Sequence, residues 1–206
     1  MGKIGLVFPP GCYELASKQL GQMQYYEFGG YLYYVKLAKF IGERRKILDL
    51  GCGLGRNSVI FSKFVDGHYI LADSNGDSSY PGWRGDVKEY YNDLELTKTF
   101  VEANGLTNYE IFDLEHRELE ELEDIDFVFS FLAAGYHFPI SQYINRLLDI
   151  ATPNCLFAFS IRDSAYDFAV ERLDRLFYNR CYLNYPFPGW SKGKERLLVM
   201  WDFVDG

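Results

Sequence analysis

Short apolar runs recur along the chain, separated by longer mixed stretches. Residues 46–50 (KILDL), 69–73 (YILAD), 109–113 (YEIFD), 126–131 (DFVFSF) and 156–161 (LFAFSI) are apolar almost throughout. They are rich in β-branched and aromatic side chains, the pattern of strands buried on both faces. The stretches between them are long enough for crossover helices. Residues 57–64 and 95–103 have helical composition, and 141–150 carries Ile144, Leu147 and Leu148 at helical spacing. This alternation predicts a mostly parallel sheet with helices on both faces. Towards the end, 180–185 and 196–203 read as two further strands joined by the Pro- and Gly-containing segment 186–193. A hairpin there would bring the sheet to seven strands and place one of them antiparallel. Residues 76–92 (GDSSYPGWRGDVKEYYN) read as an inserted loop with turn residues and aromatics, of the kind that often serves as a lid or binding loop. The Gly- and Tyr-rich N-terminal part, with helical stretches around 13–24 and 31–41, is expected to cap the sheet or a pocket.

Composition narrows the function. The 206 residues suffice for one full domain, and 48% apolar residues suit a globular core. The net charge is −8. Nucleic-acid backbones and anionic membranes require clustered Lys and Arg, and the densest short basic run is only Arg44-Arg45-Lys46. Neither partner is expected. The acidic stretch from Glu115 to Asp126 reads as a solvated helix face. Cys12, Cys52, Cys155 and Cys181 form no C-x-x-C pair, so a zinc site or redox dithiol is not expected. With no signal-like N-terminus and no membrane-length apolar run, reduced thiols and a cytoplasmic location are expected. Aromatic residues make up 18% of the chain, with 17 Tyr and 17 Phe. Most belong in a core, although together they can also line an amphipathic pocket.

The first apolar run leads directly into Gly51-Cys52-Gly53-Leu54-Gly55, and a helix is expected from Arg56. Glycines at that junction permit a tight turn and close approach of backbone amides to a ligand. The second run ends in Asp73, placed to accept hydrogen bonds from both hydroxyls of a ribose. Nicotinamide dinucleotides call for G-x-G-x-x-G. Here the spacing is G-x-G-x-G, residue 58 is Ser58, and Asp49 precedes the first glycine by two positions.

The pattern Asp49-x-Gly51-x-Gly53-x-Gly55 resembles motif I of class I S-adenosylmethionine-dependent methyltransferases, and the likeness extends over roughly residues 46–203. It implies an α/β Rossmann-like fold, with a mostly parallel seven-stranded sheet and a C-terminal antiparallel hairpin. One domain would span 1–206, a helical cap over 1–45 followed by a cofactor-binding core over 46–206. The implied cofactor is S-adenosylmethionine, leaving S-adenosylhomocysteine as product. The implied contacts are Asp49, Gly51, Cys52, Gly53, Gly55 and Asn57 at the loop. Further along, Asp73 and Ser74 would meet the ribose, Asp113 and Leu114 the adenine, and Phe131 and Leu132 would follow the fourth strand.

In open parallel sheets, ligands bind beyond the carboxyl ends of the strands. Residues 132–139 follow the fourth strand and carry Tyr136 and His137 between Gly135 and Pro139. Histidine suits removal of a hydroxyl proton near neutral pH. His137 is therefore the expected base, Tyr136 an orienting group, and Asp163, with Tyr25 or Tyr26, candidates for holding acceptor hydroxyls. The run Ser130-Phe131-x-x-x-Gly135-x-His137-Phe138-Pro139-x-x-x-Tyr143 resembles a segment of sugar O-methyltransferases from bacterial polysaccharide clusters and some large DNA viruses. It implies methyl transfer to a hydroxyl of a sugar or glycan. No paired Asp-Asp accompanies Asp163, so metal-independent chemistry is expected. The N-P-P-Y type tetrapeptide of base-modifying N-methyltransferases is absent. Another small metabolite, a protein side chain, or a non-catalytic cofactor-binding role are the alternatives the sequence leaves open.

Overall fold

A computed structural model describes residues 5–15, 37–38, 41–81, 87–131, 133–135, 138–162, 173, 175–184 and 195–203. Nine strands are present among them: β1 (Lys46–Leu50), β2 (His68–Asp73), β3 (Gly76–Pro81), β4 (Val87–Asn92), β5 (Tyr109–Asp113), β6 (Ile125–Ser130), β7 (Ala151–Arg162), β8 (Phe177–Asn184) and β9 (Glu195–Phe203). The helices described from end to end are α1 (Arg56–Phe61), α2 (Leu94–Ala103) and α3 (Ile144–Asp149), with short 3-10 turns at Leu119–Glu121 and Ile140–Gln142.

Seven strands form one sheet in the order β5-β2-β1-β6-β7-β9-β8. The first five are parallel, and β9 enters antiparallel between β7 and β8. The five apolar runs are therefore the five parallel strands, and the two C-terminal runs are the predicted hairpin. Successive side chains alternate between two cores because strand residues point to opposite faces. Ile47, Tyr69, Leu71, Phe127 and Phe129 pack with Phe61 of α1 and Phe100 and Val101 of α2. Leu48, Ile70, Ala72 and Val128 pack with Ile144 and Leu147 of α3 on the other face. Phe61, Phe127 and Phe129 are fully buried and meet at centroid separations of 5.0–5.9 Å. Each such ring contributes roughly 1.5–3 kcal/mol by burial. Most of the phenylalanine surplus is thus core.

Four expectations change. Residues 76–92 are not an irregular loop: β3 and β4 pair as an antiparallel hairpin, separate from the main sheet. Tyr80, Val87, Tyr90 and Tyr91 have high β propensity and flank the Pro81-Gly82 turn signal. The fifth strand begins earlier than expected, at Ala151, because its register with β6 shifts between Ile125 and Phe127. The expected helix at 141–150 is divided into a 3-10 turn and α3. The acidic stretch is not a helix face. Beyond its one 3-10 turn it is tied down by ion pairs, Arg146 with Glu118 and Glu120, and Arg117 with Glu121. At its end Asp126 accepts from the amides of Arg45 and Lys46 at 2.8 and 3.1 Å, fixing the entry to β1.

Of the N-terminal helices, residues 12–15 and Leu37, Ala38 and Ile41 are helical. The rest of those two stretches lies outside the described residues. All four cysteines are free thiols.

Candidate functional site

The carboxyl ends of five parallel strands form one edge, and the glycine loop, Asp73, Ser74, Asp113 and Leu114 lie along it. Asp73 and Asp113 are register partners at the ends of β2 and β5. Leu50 of β1 pairs with Ala72 of β2, so the glycine loop starts beside Asp73. The amides of Gly51 and Cys52 both donate to the Ala72 carbonyl, at 2.8 and 3.2 Å, which folds the loop back over β2. Gly51, Gly53 and Gly55 all have positive φ, at 71°, 52° and 76°.

Two of these glycines are also required by space. A Cβ on Gly51 would lie 2.3 Å from the Ala133 Cβ, so the glycine loop and the segment after β6 touch directly. A Cβ on Gly55 would lie 2.6 Å from Leu71 and 2.7 Å from Val101, where α2 closes on the loop. Both contacts sit far below any separation that real side chains adopt, and neither residue could become Ala without displacement.

Three carboxylates line this edge in different states. Asp73 is 5% exposed. It accepts from the Gly53 amide at 2.7 Å and the Ser74 amide at 2.8 Å. Burial nevertheless pushes its pKa up to about 7; the two amides pull it down and Asp113 adds repulsion. Asp49 is fully enclosed. One oxygen accepts from the Ser58 hydroxyl at 2.7 Å, whereas Oδ1 has no hydrogen-bond partner among the described residues. Burial raises its pKa to about 8. Asp113 is partly exposed, and its carboxylate accepts from the Glu115 amide at 2.9 Å and faces the His116 ring at 3.0 Å. Leu114 follows it and donates its amide to the Asp73 carbonyl at 2.9 Å, joining the two strand ends.

Cys52 lies buried within the loop, and burial holds its thiol well above the ordinary range. Asn57 and Ser74 are partly buried. The Phe131 ring is committed to the core, 5.3 Å from Phe129 and 6.0 Å from Phe61. Its side chain is therefore turned into the protein. Leu132, Tyr136, His137 and Asp163, together with Tyr25 and Tyr26, lie outside the described residues.

Around the fourth strand's end, Ser130, read in the sequence only as the start of a family-like run, has a linking role that sequence reasoning missed. Its buried hydroxyl donates to the Leu50 carbonyl at 2.6 Å and accepts from the Ala134 amide at 2.9 Å. It thereby links the start of the glycine loop to the segment carrying the expected catalytic residues. Gly135 has φ 87°, and its amide donates to Phe138 at 2.7 Å. Thr97 of α2 was missed as well. Its hydroxyl donates to the Gly53 carbonyl at 2.8 Å. In both cases the signal available in the sequence was a hydroxyl residue within an otherwise apolar strand or helix face.

The sheet order, one antiparallel strand and the glycine loop after β1 together define a known architecture. The chain has the class I methyltransferase fold. A methyltransferase from Geobacter sulfurreducens superimposes with a TM-score of 0.61 at 15% identity, over 91% of this chain and 86% of the other. The N-methyltransferase NodS from Bradyrhizobium japonicum, solved with S-adenosyl-L-homocysteine, gives 0.59 at 12% identity, over 91% of each. An rRNA methylase from Streptococcus thermophilus gives 0.53 at 14% identity, over 84% and 95%. No family model matches the sequence, and no curated protein matches it by sequence. At these identities the likeness is one of fold, and the enzymes named differ in what they methylate. No helix among the described residues is long and apolar enough to cross a membrane.

Proposed function

We propose that this chain is an S-adenosylmethionine-dependent O-methyltransferase that modifies a hydroxyl of a sugar or glycan. The observation that carries the cofactor reading is Asp73: a buried carboxylate at the end of β2, bonded to the Gly53 amide of the glycine loop. The residues fit such a cofactor. Asp73 offers an acceptor for ribose hydroxyls, Asp49 Oδ1 is a buried acceptor without a partner among the described residues, and Gly51 and Gly55 leave no room for side chains in the loop. When bound, S-adenosylmethionine supplies a methyl group on a sulfonium, a thioether being the leaving group.

The protein's part is then to orient an acceptor hydroxyl in line and to take its proton. His137, next in the chain after the Ser130-anchored segment, is the base in this reading, and Tyr136 orients the acceptor. Asp163, following β7, would hold a neighbouring hydroxyl. The sugar assignment rests on the sequence run from Ser130 to Tyr143. The net charge of −8 disfavours a nucleic-acid acceptor, and the small-molecule or glycan acceptor is preferred on that ground.

The test is methyl transfer to a panel of sugars, followed by mass spectrometry, with wild type and His137→Ala. The reading predicts a product one methyl group heavier from a sugar, and a kcat lowered about 10²–10⁴-fold in the variant. Cofactor affinity should be unchanged, activity should rise with pH through the histidine range, and EDTA should have no effect. Full activity in His137→Ala together with loss on adding EDTA would point to a metal-assisted site instead.

A further inference from the structure

A glycine loop is conformationally permissive, and the peptide between Gly53 and Leu54 can turn at little intrinsic cost because Gly53 carries no Cβ. Something else must hold it. Gly53 is gripped from two sides: its amide by Asp73 of β2 at 2.7 Å, and its carbonyl by the Thr97 hydroxyl of α2 at 2.8 Å. Thr97 is fully buried on the face of α2 that also presents Leu94, Phe100 and Val101. A threonine within a helix ordinarily returns its hydroxyl to the carbonyl four residues back. That carbonyl, Asp93, lies 3.1 Å away, farther than Gly53. One hydroxyl proton serves one acceptor well, and the shorter distance assigns it to the loop.

Peptide planarity then fixes the next group. With the Gly53 carbonyl turned to α2, the Leu54 amide points the opposite way, and it has no hydrogen-bond partner among the described residues. The helix that carries Thr97 is itself well anchored. Asp93 caps it through the Glu95 and Leu96 amides, both at 3.0 Å. At its far end Asn104 clamps the backbone of Val7, accepting from its amide and donating to its carbonyl at 2.8 Å each.

We propose that Thr97 is a positioning residue for the cofactor loop: its hydroxyl locks the Gly53–Leu54 peptide so that the Leu54 amide stays free to donate to an acceptor on the ligand. The link to a ligand rests on the cofactor reading above, whereas the restraint on the loop does not. Three readouts on Thr97→Val and Thr97→Ser separate them: amide hydrogen exchange at Gly53 without ligand, S-adenosylhomocysteine affinity by calorimetry, and melting temperature. Thr97→Val keeps the shape and loses the hydroxyl. It should speed exchange at the loop and weaken binding about tenfold, with little change in melting temperature. Thr97→Ser should restore both. Wild-type exchange and affinity in Thr97→Val would overturn the proposal. So would equal losses in both variants with a lower melting temperature, since that pattern belongs to packing around the side chain and not to its hydroxyl. Should Thr97→Val fail to fold, Thr97→Ala replaces it in the comparison with Thr97→Ser. Exchange that depends on the hydroxyl, in a wild-type chain that does not bind S-adenosylhomocysteine, would support the loop restraint and overturn the cofactor reading alone.

Discussion

Asp73 has two parts to play, because one carboxylate both shapes the glycine loop and is proposed to receive the ribose. Its pKa lies near 7, raised chiefly by burial. A ribose hydroxyl donates best to the ionised form, since protonation turns one carboxyl oxygen into a donor and leaves the other a weaker, uncharged acceptor. Binding should therefore strengthen as pH rises through the folded pKa. Between pH 6 and pH 8 the dissociation constant for S-adenosylhomocysteine should fall about tenfold, the ratio of ionised fractions across a pKa near 7. Asp73→Asn should flatten that profile and weaken binding at pH 8 by roughly 1.5–3 kcal/mol, the range for a hydrogen bond to a charged group. Calorimetry at several pH values checks both. A pH-independent wild type, or normal affinity in Asp73→Asn, would remove the ribose role. The position of Asp73 was legible from the sequence, since an apolar run ending in Asp after a glycine loop has few readings. Its bond to Gly53, and the grip of Thr97 from the other side, were not. Both are contacts between segments distant in sequence, made only once β2 and α2 have packed around the loop.

At the scale of elements, α2 connects the site to the rest of the fold. It follows the β3–β4 hairpin, whose base is tied by Asn75 Oδ1 accepting from the Leu94 amide at 3.1 Å and by Asn92 Nδ2 donating to the Ser74 carbonyl at 3.4 Å. Asp93 begins the helix in extended conformation and accepts from two otherwise unpaired amides. Asp93→Ala should cost about 1 kcal/mol and lower the melting temperature by about 2–4 °C. Asp93→Asn should recover most of that loss, and an unchanged melting temperature in Asp93→Ala would show that the cap does not limit stability. The five parallel strands could be read from their apolar runs because burial on both faces leaves a continuous pattern. The hairpin could not. Its short strands carry no long apolar run, and the Gly, Pro and Asp residues among them read as a loop despite the β propensity of Tyr80, Val87, Tyr90 and Tyr91.

For the whole molecule, the order of the parallel strands brings residues 49–57, 73–74, 113–114, 130–131 and 133–135 to a single edge. That convergence is what the topology contributes, because parallel strands end on the same side and their following loops meet there. The sequence motif alone marked one of these loops. Sheet order made neighbours of the others, and contacts such as Gly51 against Ala133 follow from it. The acceptor is a different matter, since structures sharing this fold methylate different substrates. Binding of S-adenosylmethionine at this edge through the glycine loop does not depend on which acceptor is used. Calorimetric titration of S-adenosylhomocysteine, and separately of NAD, into wild type and Gly53→Val tests it most directly. Wild type should bind S-adenosylhomocysteine saturably, Gly53→Val should not bind it, and neither should bind NAD. Equal affinity for S-adenosylhomocysteine in both proteins, or binding of NAD in its place, would contradict it.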